Sequence, residues 1–274
     1  MFKKIKKLVE RQNNRDLIKD KHYYDEMTEK IENLDSEELM HYFNAINSKS
    51  LFNHVYEQFY GEIRNLITDK NFKVLEIGAG FGRHTVQIVK YSNNVLILDV
   101  SSKALELNLK MNKSVQKAIV SSMSSIPLDN SSIDLIICGE SLSYADPKTT
   151  DSEILRVLKP GGSLIIIDAL NHNPIYKINR WVKFVLGLRS LSSVYRIPKL
   201  SRISRLAENF QNNRIIFFGT WVWLIEIISY LVKRSKAKYF SELLDQYVKN
   251  KYAFKFILVA ENYIIKERNK GIAF

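Results

Sequence analysis

Residues 74 to 82 read Val74-Leu75-Glu76-Ile77-Gly78-Ala79-Gly80-Phe81-Gly82, a short apolar run that passes into three glycines spaced two apart. The run predicts a strand. Glycines at that spacing let the chain leave it through left-handed dihedrals and remove side chains that would keep a ligand from the backbone. The amides opening the next helix, expected over Arg83 to Lys90, then face that ligand. A glycine triplet by itself also suits an ordinary strand-to-helix turn. The acidic residues narrow the choice. Glu76 interrupts the apolar run, and a second apolar strand, Asn94 to Leu98, ends at Asp99, 17 residues after Gly82. An open α/β sheet places an acceptor for ribose hydroxyls at that point.

Two later stretches belong with this loop: Ile126-Pro127-Leu128-Asp129-Asn130-Ser131-Ser132-Ile133-Asp134 and Arg156-Val157-Leu158-Lys159-Pro160-Gly161-Gly162. With the loop read as E-x-G-x-G-x-G, residues 70 to 170 resemble the class I S-adenosylmethionine-dependent methyltransferases, in the manner of the type 11-like domain. The dinucleotide fingerprint G-x-G-x-x-G would instead put its last glycine at position 83, which is arginine. A nicotinamide-dependent oxidoreductase is therefore the disfavoured rival.

The resemblance implies a Rossmann-like seven-stranded sheet, mostly parallel with the last strand antiparallel, flanked by helices. It implies S-adenosylmethionine as cofactor, lying across Gly78, Ala79, Gly80 and Gly82 with Glu76 at the loop's base. Asp99 and Val100 would meet the ribose, Ser122 and Met123 the adenine, and Gly139 completes the set. Family members commonly carry an aspartate where this chain has Ser122, whose hydroxyl can donate or accept one hydrogen bond. About the substrate the resemblance implies nothing.

Further strands are expected over Lys117 to Ser121, Ile133 to Cys138 and Leu164 to Ile167, with helices from Ser101 or Ser102 to about Asn112 and from Asp151 to Leu158. Lys159 to Gly162 reads as the turn that stops the second helix. Ile215 to Val232 is 18 residues with one charge, Glu226. Hydropathy alone nominates a membrane span. Glu226 and the Gly219-Thr220 break favour a sixth strand, Arg214 to Phe218, followed by an apolar helix, with Ala253 to Ala260 as the antiparallel seventh strand.

The expected division is a helical cover over residues 1–70 and a methyltransferase domain over 71–274, with an insertion at about 171–213. The first 21 residues mix Phe2, Ile5, Leu8 and Val9 with lysines, as either a solvated terminal helix or a weak membrane-surface helix. Residues 22 to 70 look helical, with Asp35-Ser36-Glu37-Glu38 as a helix start and Asn47 to Ser50 as a break. Tyr23-Tyr24-Asp25 sits where the family often has an aromatic near the methionine end of the cofactor; packing of the tyrosines is the alternative.

For the acceptor, the rim beyond the fourth and fifth strands supplies candidates. Glu140, Ser143 and Tyr144 follow the fourth. Asp168, Asn171, His172 and Asn173 follow the fifth and form the densest polar group of the carboxyl-terminal half. His172 titrates near physiological pH and is the candidate general base. Asx residues before Pro174 equally well make turns. The sulfonium methyl is already activated, so a base is optional in such a transfer. His84 is expected to cap or line the cofactor helix.

Forty-one Lys and Arg against 29 Asp and Glu leave a formal charge of +12, which favours an anionic partner. Basic and aromatic residues alternate through 180–214, including Arg180, Trp181, Lys183 and Arg189. These features tilt the expected acceptor toward a small molecule, glycan or lipid-linked compound over nucleic acid, with peripheral membrane association. The lone Cys138 lies in an apolar strand, which fits a buried thiol in a reducing cytoplasm. No zinc or iron–sulfur spacing occurs, so no metal is expected. A non-catalytic module that binds S-adenosylmethionine on the same fold is the alternative to an enzyme.

Overall fold

The computed structural model describes residues 51–186, 195–229, 231–247 and 251–265, together with Ile31, Leu34 and Glu38. The expected terminal helix over the first 21 residues, Tyr23-Tyr24-Asp25, Asp35-Ser36-Glu37, the break at Asn47 to Ser50, the Lys183 side chain and Arg189 lie outside the described residues.

Five strands run parallel: β1 (Lys73–Ile77), β2 (Asn94–Asp99), β3 (Lys117–Val120), β4 (Ile133–Gly139) and β5 (Leu158–Ala169). β6 (Phe210–Phe218) shares their direction, because β7 (Lys255–Tyr263) is antiparallel to both β5 and β6. The seven-stranded order is β3-β2-β1-β4-β5-β7-β6. The expected sheet class and the antiparallel seventh strand are therefore present.

Alternating side chains divide the core between two faces, as a sheet covered on both sides requires. Val74, Ile97, Leu135, Ile137, Ile165 and Ile167 face helix α1 (Asn53–Leu66), which lays Val55, Tyr56, Phe59 and Ile63 along one stripe against them. Full burial of Phe59 contributes roughly 2–3 kcal/mol. The opposite face buries Leu75, Ile77, Leu98, Ile136 and Ile166 against α4 (Pro147–Val157) and α6 (Leu200–Ala207).

Several boundaries differ from expectation, β7 running Lys255–Tyr263 instead of Ala253 to Ala260 among them. The helix expected over Arg83 to Lys90 is only the turn α2 (Thr85–Ile88); the chain continues through three-residue turns such as Tyr91 N–H to Ile88 carbonyl at 3.0 Å. α4 begins at Pro147 because Asp146 accepts the Thr149 amide at 3.0 Å and proline is preorganised for a first turn. Lys159 to Gly162 is absorbed into β5 as an irregularity that shifts the β4 register between Ile133 and Leu135. β6 starts at Phe210 rather than Arg214, since β7 pairs with it as far as Phe210 opposite Tyr263.

Helix α3 (Ser102–Met111) is capped as expected by Ser101, which accepts the Ala104 amide at 3.2 Å. The remaining helices are α5 (Pro174–Val185), α7 (Val222–Ile228) and α8 (Arg234–Tyr247). Thus Ile215 to Val232 divides between a strand and a short helix. Among the described residues no helix is long and apolar enough to cross a membrane.

Candidate active site

The chain reverses its winding between β1 and β4, and ligand crevices in open sheets lie at that point, beyond the carboxyl ends of the strands. A cavity of about 210 Å³ occupies it. Its floor is the glycine loop. Gly78, Gly80 and Gly82 take φ of 71°, 49° and 93°. The Gly78 and Ala79 amides donate to the Leu98 carbonyl at 2.7 and 3.1 Å, which pins the loop to the end of β2. A Cβ on Gly80 would meet no atom within 4 Å and would project into open space, whereas one on Gly82 would lie 2.6 Å from Asn108 Oδ1. Gly80 therefore clears room for a ligand. Gly82 clears room for the protein's own packing.

Beneath the loop runs a buried polar chain. Thr85 Oγ1 donates to Glu76 Oε2 at 2.6 Å, Asn108 Nδ2 donates to Thr85 Oγ1 at 2.9 Å, and Asn112 Nδ2 donates to Asn108 Oδ1 at 2.8 Å. Burial pushes the Glu76 carboxyl up to about 8, so a proton rather than a charge resides there near neutrality. Glu76 and Gly82 do not line the cavity; both brace the loop from below.

The other expected cofactor residues do converge: Gly78, Ala79, Gly80, Asp99, Val100, Ser122, Met123 and Gly139 all line the cavity. Asp99 receives the Gly80 amide on Oδ2 at 2.9 Å and the Ser101 amide on Oδ1 at 3.0 Å. Ser122 Oγ accepts the Ser124 amide at 3.2 Å. Gly139 is required by His84, whose ring carbon would lie 2.4 Å from an added Cβ. His84 lines the cavity, stands 2.9 Å from the Tyr60 hydroxyl through Nδ1, and is pushed down to about 3 by burial, so its ring is neutral.

The acceptor candidates divide. Tyr144 and Glu140 line the cavity. Asp168, Asn171, His172 and Asn173 do not, and Asp168, His172 and Asn173 instead satisfy backbone where the chain leaves β5. Asp168 accepts the Leu142 and Ala169 amides at 3.0 and 2.6 Å. Asn173 caps α5 by accepting the Ile175 amide at 3.0 Å and donates to the Tyr252 carbonyl at 2.9 Å. The Asn171 backbone N–H donates to the Pro198 carbonyl, and its side-chain Oδ1 accepts from Arg180 Nη1 at 3.4 Å. His172 Nε2 accepts the Leu200 amide at 2.9 Å, at the start of α6 where no carbonyl of the same helix reaches it. Burial, with Lys177, Lys251 and Lys199 nearby, holds His172 below its ordinary value. Its accepting nitrogen is thus committed to backbone, and the residue stands outside the cavity lining. Cys138 is buried, as expected, with its thiol pushed up to about 12 by burial.

A second polar group gathers around Glu140, the one member of it that the sequence nominated. Glu140 sits just past β4 with φ of 56°, a left-handed conformation that a non-glycine residue rarely takes. Its Oε1 accepts from Tyr56 Oη at 2.8 Å and from Lys255 Nζ; its Oε2 accepts from Arg83 Nη1 at 3.1 Å. Arg83 also lies 4.3 Å over the Tyr56 ring. Burial alone would raise the Glu140 carboxyl, but Lys255 and Arg83 outweigh it and hold it well below the usual carboxylate range. α1, the glycine loop, β4 and β7 each supply one member. Among the described residues no group of three or more His, Cys, Asp or Glu side chains is placed to hold a metal ion.

Residues 75–166 match the methyltransferase domain family. Over 95 residues the chain is 30% identical to an uncharacterised methyltransferase of Mycobacterium tuberculosis, covering 35% of this chain and 39% of the relative. Over 103 residues it is 32% identical to an uncharacterised methyltransferase of Schizosaccharomyces pombe, covering 37% and 41%. The chain thus spans about two fifths of the length of these curated relatives. In three dimensions it resembles geranyl diphosphate C-methyltransferase of Streptomyces coelicolor, with a TM-score of 0.53 at 17% identity over 77% of this chain and 80% of the other. The glycine loop and the cavity at the β1–β4 switch point thus fall within residues 75–166, the stretch that is identified as a match to the methyltransferase domain family.

Proposed function

We propose that the chain is an S-adenosylmethionine-dependent methyltransferase acting on a small-molecule, glycan or lipid-linked acceptor. The observation that carries this reading is the convergence of Gly80, with open space where its Cβ would stand, and Asp99, whose carboxylate faces the same cavity. That cradle fits a nucleoside with a cationic tail. Asp99 suits the ribose hydroxyls, Ser122 and Met123 the base, and Gly78, Gly139 and Glu140 the amino acid end.

The bound cofactor supplies a methyl group on a positively charged sulfur, ready for in-line attack. What the chain must add is alignment and exclusion of water. Glu140 is held ionised on the cavity wall by Lys255 and Arg83, it fixes Arg83 beside it on that wall, and the buried Tyr56 hydroxyl supports Glu140. Neutral His84 and Tyr144 complete that wall. This makes Arg83, Glu140 and Tyr144 the acceptor-side group, with Tyr56 supporting them, in place of Asp168, Asn171, His172 and Asn173.

Calorimetric titration with S-adenosylmethionine, S-adenosylhomocysteine and NAD tests the cofactor. Binding of the first two without NAD supports the reading; binding of neither sinks it. Turnover separates an enzyme from a non-catalytic module, as release of S-adenosylhomocysteine with an acceptor panel that a Glu140→Gln variant no longer supports.

A further inference from the structure

Helix α5 is amphipathic in the wrong sense for a core helix. Tyr176 and Arg180 point inward, with Arg180 donating to the Leu170 carbonyl at 3.2 Å. Outward, at helical spacing, stand Ile178 (65% exposed), Trp181 (51%), Val182 and Val185 (72%). They line an open apolar groove with Lys177 and Leu186. Helix α7 repeats the arrangement. Val222 and Ile225 pack with Ala237 of α8 and Leu51, and Leu224, Ile227 and Ile228 are left outward. Leu231, 86% exposed, continues that face into the exposed Lys233, Arg234 and Lys236.

The two faces are neighbours. Tyr176 of α5 donates its hydroxyl to the Gly219 carbonyl at 2.8 Å and accepts the Trp223 amide of α7 at 3.2 Å. α5 leaves the carboxyl end of β5 and α7 leaves that of β6, so both rise from the rim on which the cavity opens. An exposed apolar area of this extent marks an interaction site. Its chemistry selects among partners. Tryptophans beside aliphatic side chains, bordered by lysines, suit the headgroup boundary of a bilayer, where the rings stay half wet and the ammonium groups meet lipid phosphates. Glu226, the acid within α7, is paired with Arg234 at 3.3 Å, and the unbalanced charge of Lys177, Lys233 and Lys236 is positive, as is the chain at +12.

We propose that α5, α7 and the Leu231–Lys236 segment dock on an anionic lipid surface and turn the rim of the cavity toward it. The docking stands on these faces alone. Its consequence, delivery of a lipid-borne acceptor to the rim, rests on the methyltransferase reading.

All three tryptophans of the chain, Trp181, Trp221 and Trp223, belong to this region, so intrinsic emission reports on it selectively. The test uses the full chain with phosphatidylcholine vesicles, with and without phosphatidylglycerol, at low salt. Expected are co-sedimentation and a blue shift of tryptophan emission with the anionic vesicles only. Lys233→Gln and Lys236→Gln should each weaken partitioning by about fivefold. Val185→Ser with Leu231→Ser should abolish the shift while S-adenosylhomocysteine titration stays as in wild type, which shows the variant is folded. No sedimentation with anionic vesicles, or sedimentation indifferent to these substitutions, overturns the proposal. So does tryptophan emission already blue-shifted and shielded from quencher without lipid: light scattering then reports a second copy if the chain is dimeric, or another segment of the same chain if it is monomeric. Vesicle docking without S-adenosylhomocysteine binding would leave the docking standing and remove the methyltransferase reading.

Discussion

The Gly80 amide donates to Asp99 Oδ2 at 2.9 Å, so the carboxylate that faces the cavity also ties the glycine loop to the end of β2. Asp99 thus has two tasks, shaping the floor and meeting the ligand. Asp99→Ala removes both, and loss of a charge-assisted hydrogen bond predicts S-adenosylhomocysteine binding about tenfold to hundredfold weaker. Asp99→Asn keeps an acceptor for Gly80 and should fall between. Titration calorimetry on the two variants checks the ordering; equal losses would assign the whole effect to the charge.

Gly80 and Gly82 separate binding from folding. Both have positive φ, which costs an alanine about 1–2 kcal/mol. Only at Gly82 does the added Cβ also strike the buried Asn108 and Asn112 side chains. Gly80→Ala should therefore lower Tm by only a few degrees while its methyl blocks the ligand. Gly82→Ala should lose clearly more stability. Thermal melts and ligand titrations read together test this; a Gly80→Ala protein that binds normally would show that no ligand approaches that backbone.

Stability should pass through a maximum with pH because two buried groups shift in opposite senses. Glu76 is raised from 4.5 to about 8, so the folded state holds a proton that the unfolded state has released, and stability falls as pH rises from 4.5 to 8. His84 is lowered from 6.5 to about 3, so the unfolded state takes up a proton that the folded state refuses, and stability falls as pH drops below 6.5. Asp168, raised from 3.8 to about 6 chiefly by burial, adds to the first effect at the acidic end. Glu76→Gln keeps a partner for Thr85 without the charge. Urea unfolding across pH 6.5 to 8 should show a declining free energy in wild type and a nearly flat one in Glu76→Gln, a difference on the order of a few kcal/mol at the alkaline end.

What the sequence made legible was what local pattern encodes. Alternation and apolar runs marked the strands, and the family resemblance nominated Gly78, Gly80, Asp99, Ser122, Met123 and Gly139, which line one cavity. Of the residues expected on the acceptor side, Glu140 and Tyr144 line the cavity and the polar stretch after β5 does not, for a physical reason. The stretch from Asp168 to Asn173 is dense in polar atoms because a chain leaving a buried strand must satisfy its amides, and the side chains of Asp168, His172 and Asn173 do so. The polar group around Glu140, of which Glu140 and Arg83 line the cavity, is drawn from positions 56, 83, 140 and 255, which only the topology brings together. One signal was available. Lys255 is a lone charge inside the apolar run from Ala253 to Ala260, and a lysine so placed needs a carboxylate partner.

That pairing supports the last prediction, a double-mutant cycle on Glu140 and Lys255. Glu140→Gln leaves the buried Lys255 ammonium without the carboxylate that receives it, and breaking such a pair costs about 3–5 kcal/mol. Lys255→Met should cost less, because Glu140 keeps Arg83 and the Tyr56 hydroxyl and is partly open to water. The double variant removes both charges together and should be less destabilised than the sum of the singles, by more than the few tenths of a kcal/mol expected of independent sites. Urea unfolding at neutral pH measures all four corners. Glu140 is depressed in the folded state, so the stability it contributes is present above its unfolded value of 4.5 and is lost as pH falls below it. Simple additivity at neutral pH would mean that Glu140 and Lys255 are not coupled, and the cavity wall would then depend on Arg83 and Tyr56 alone.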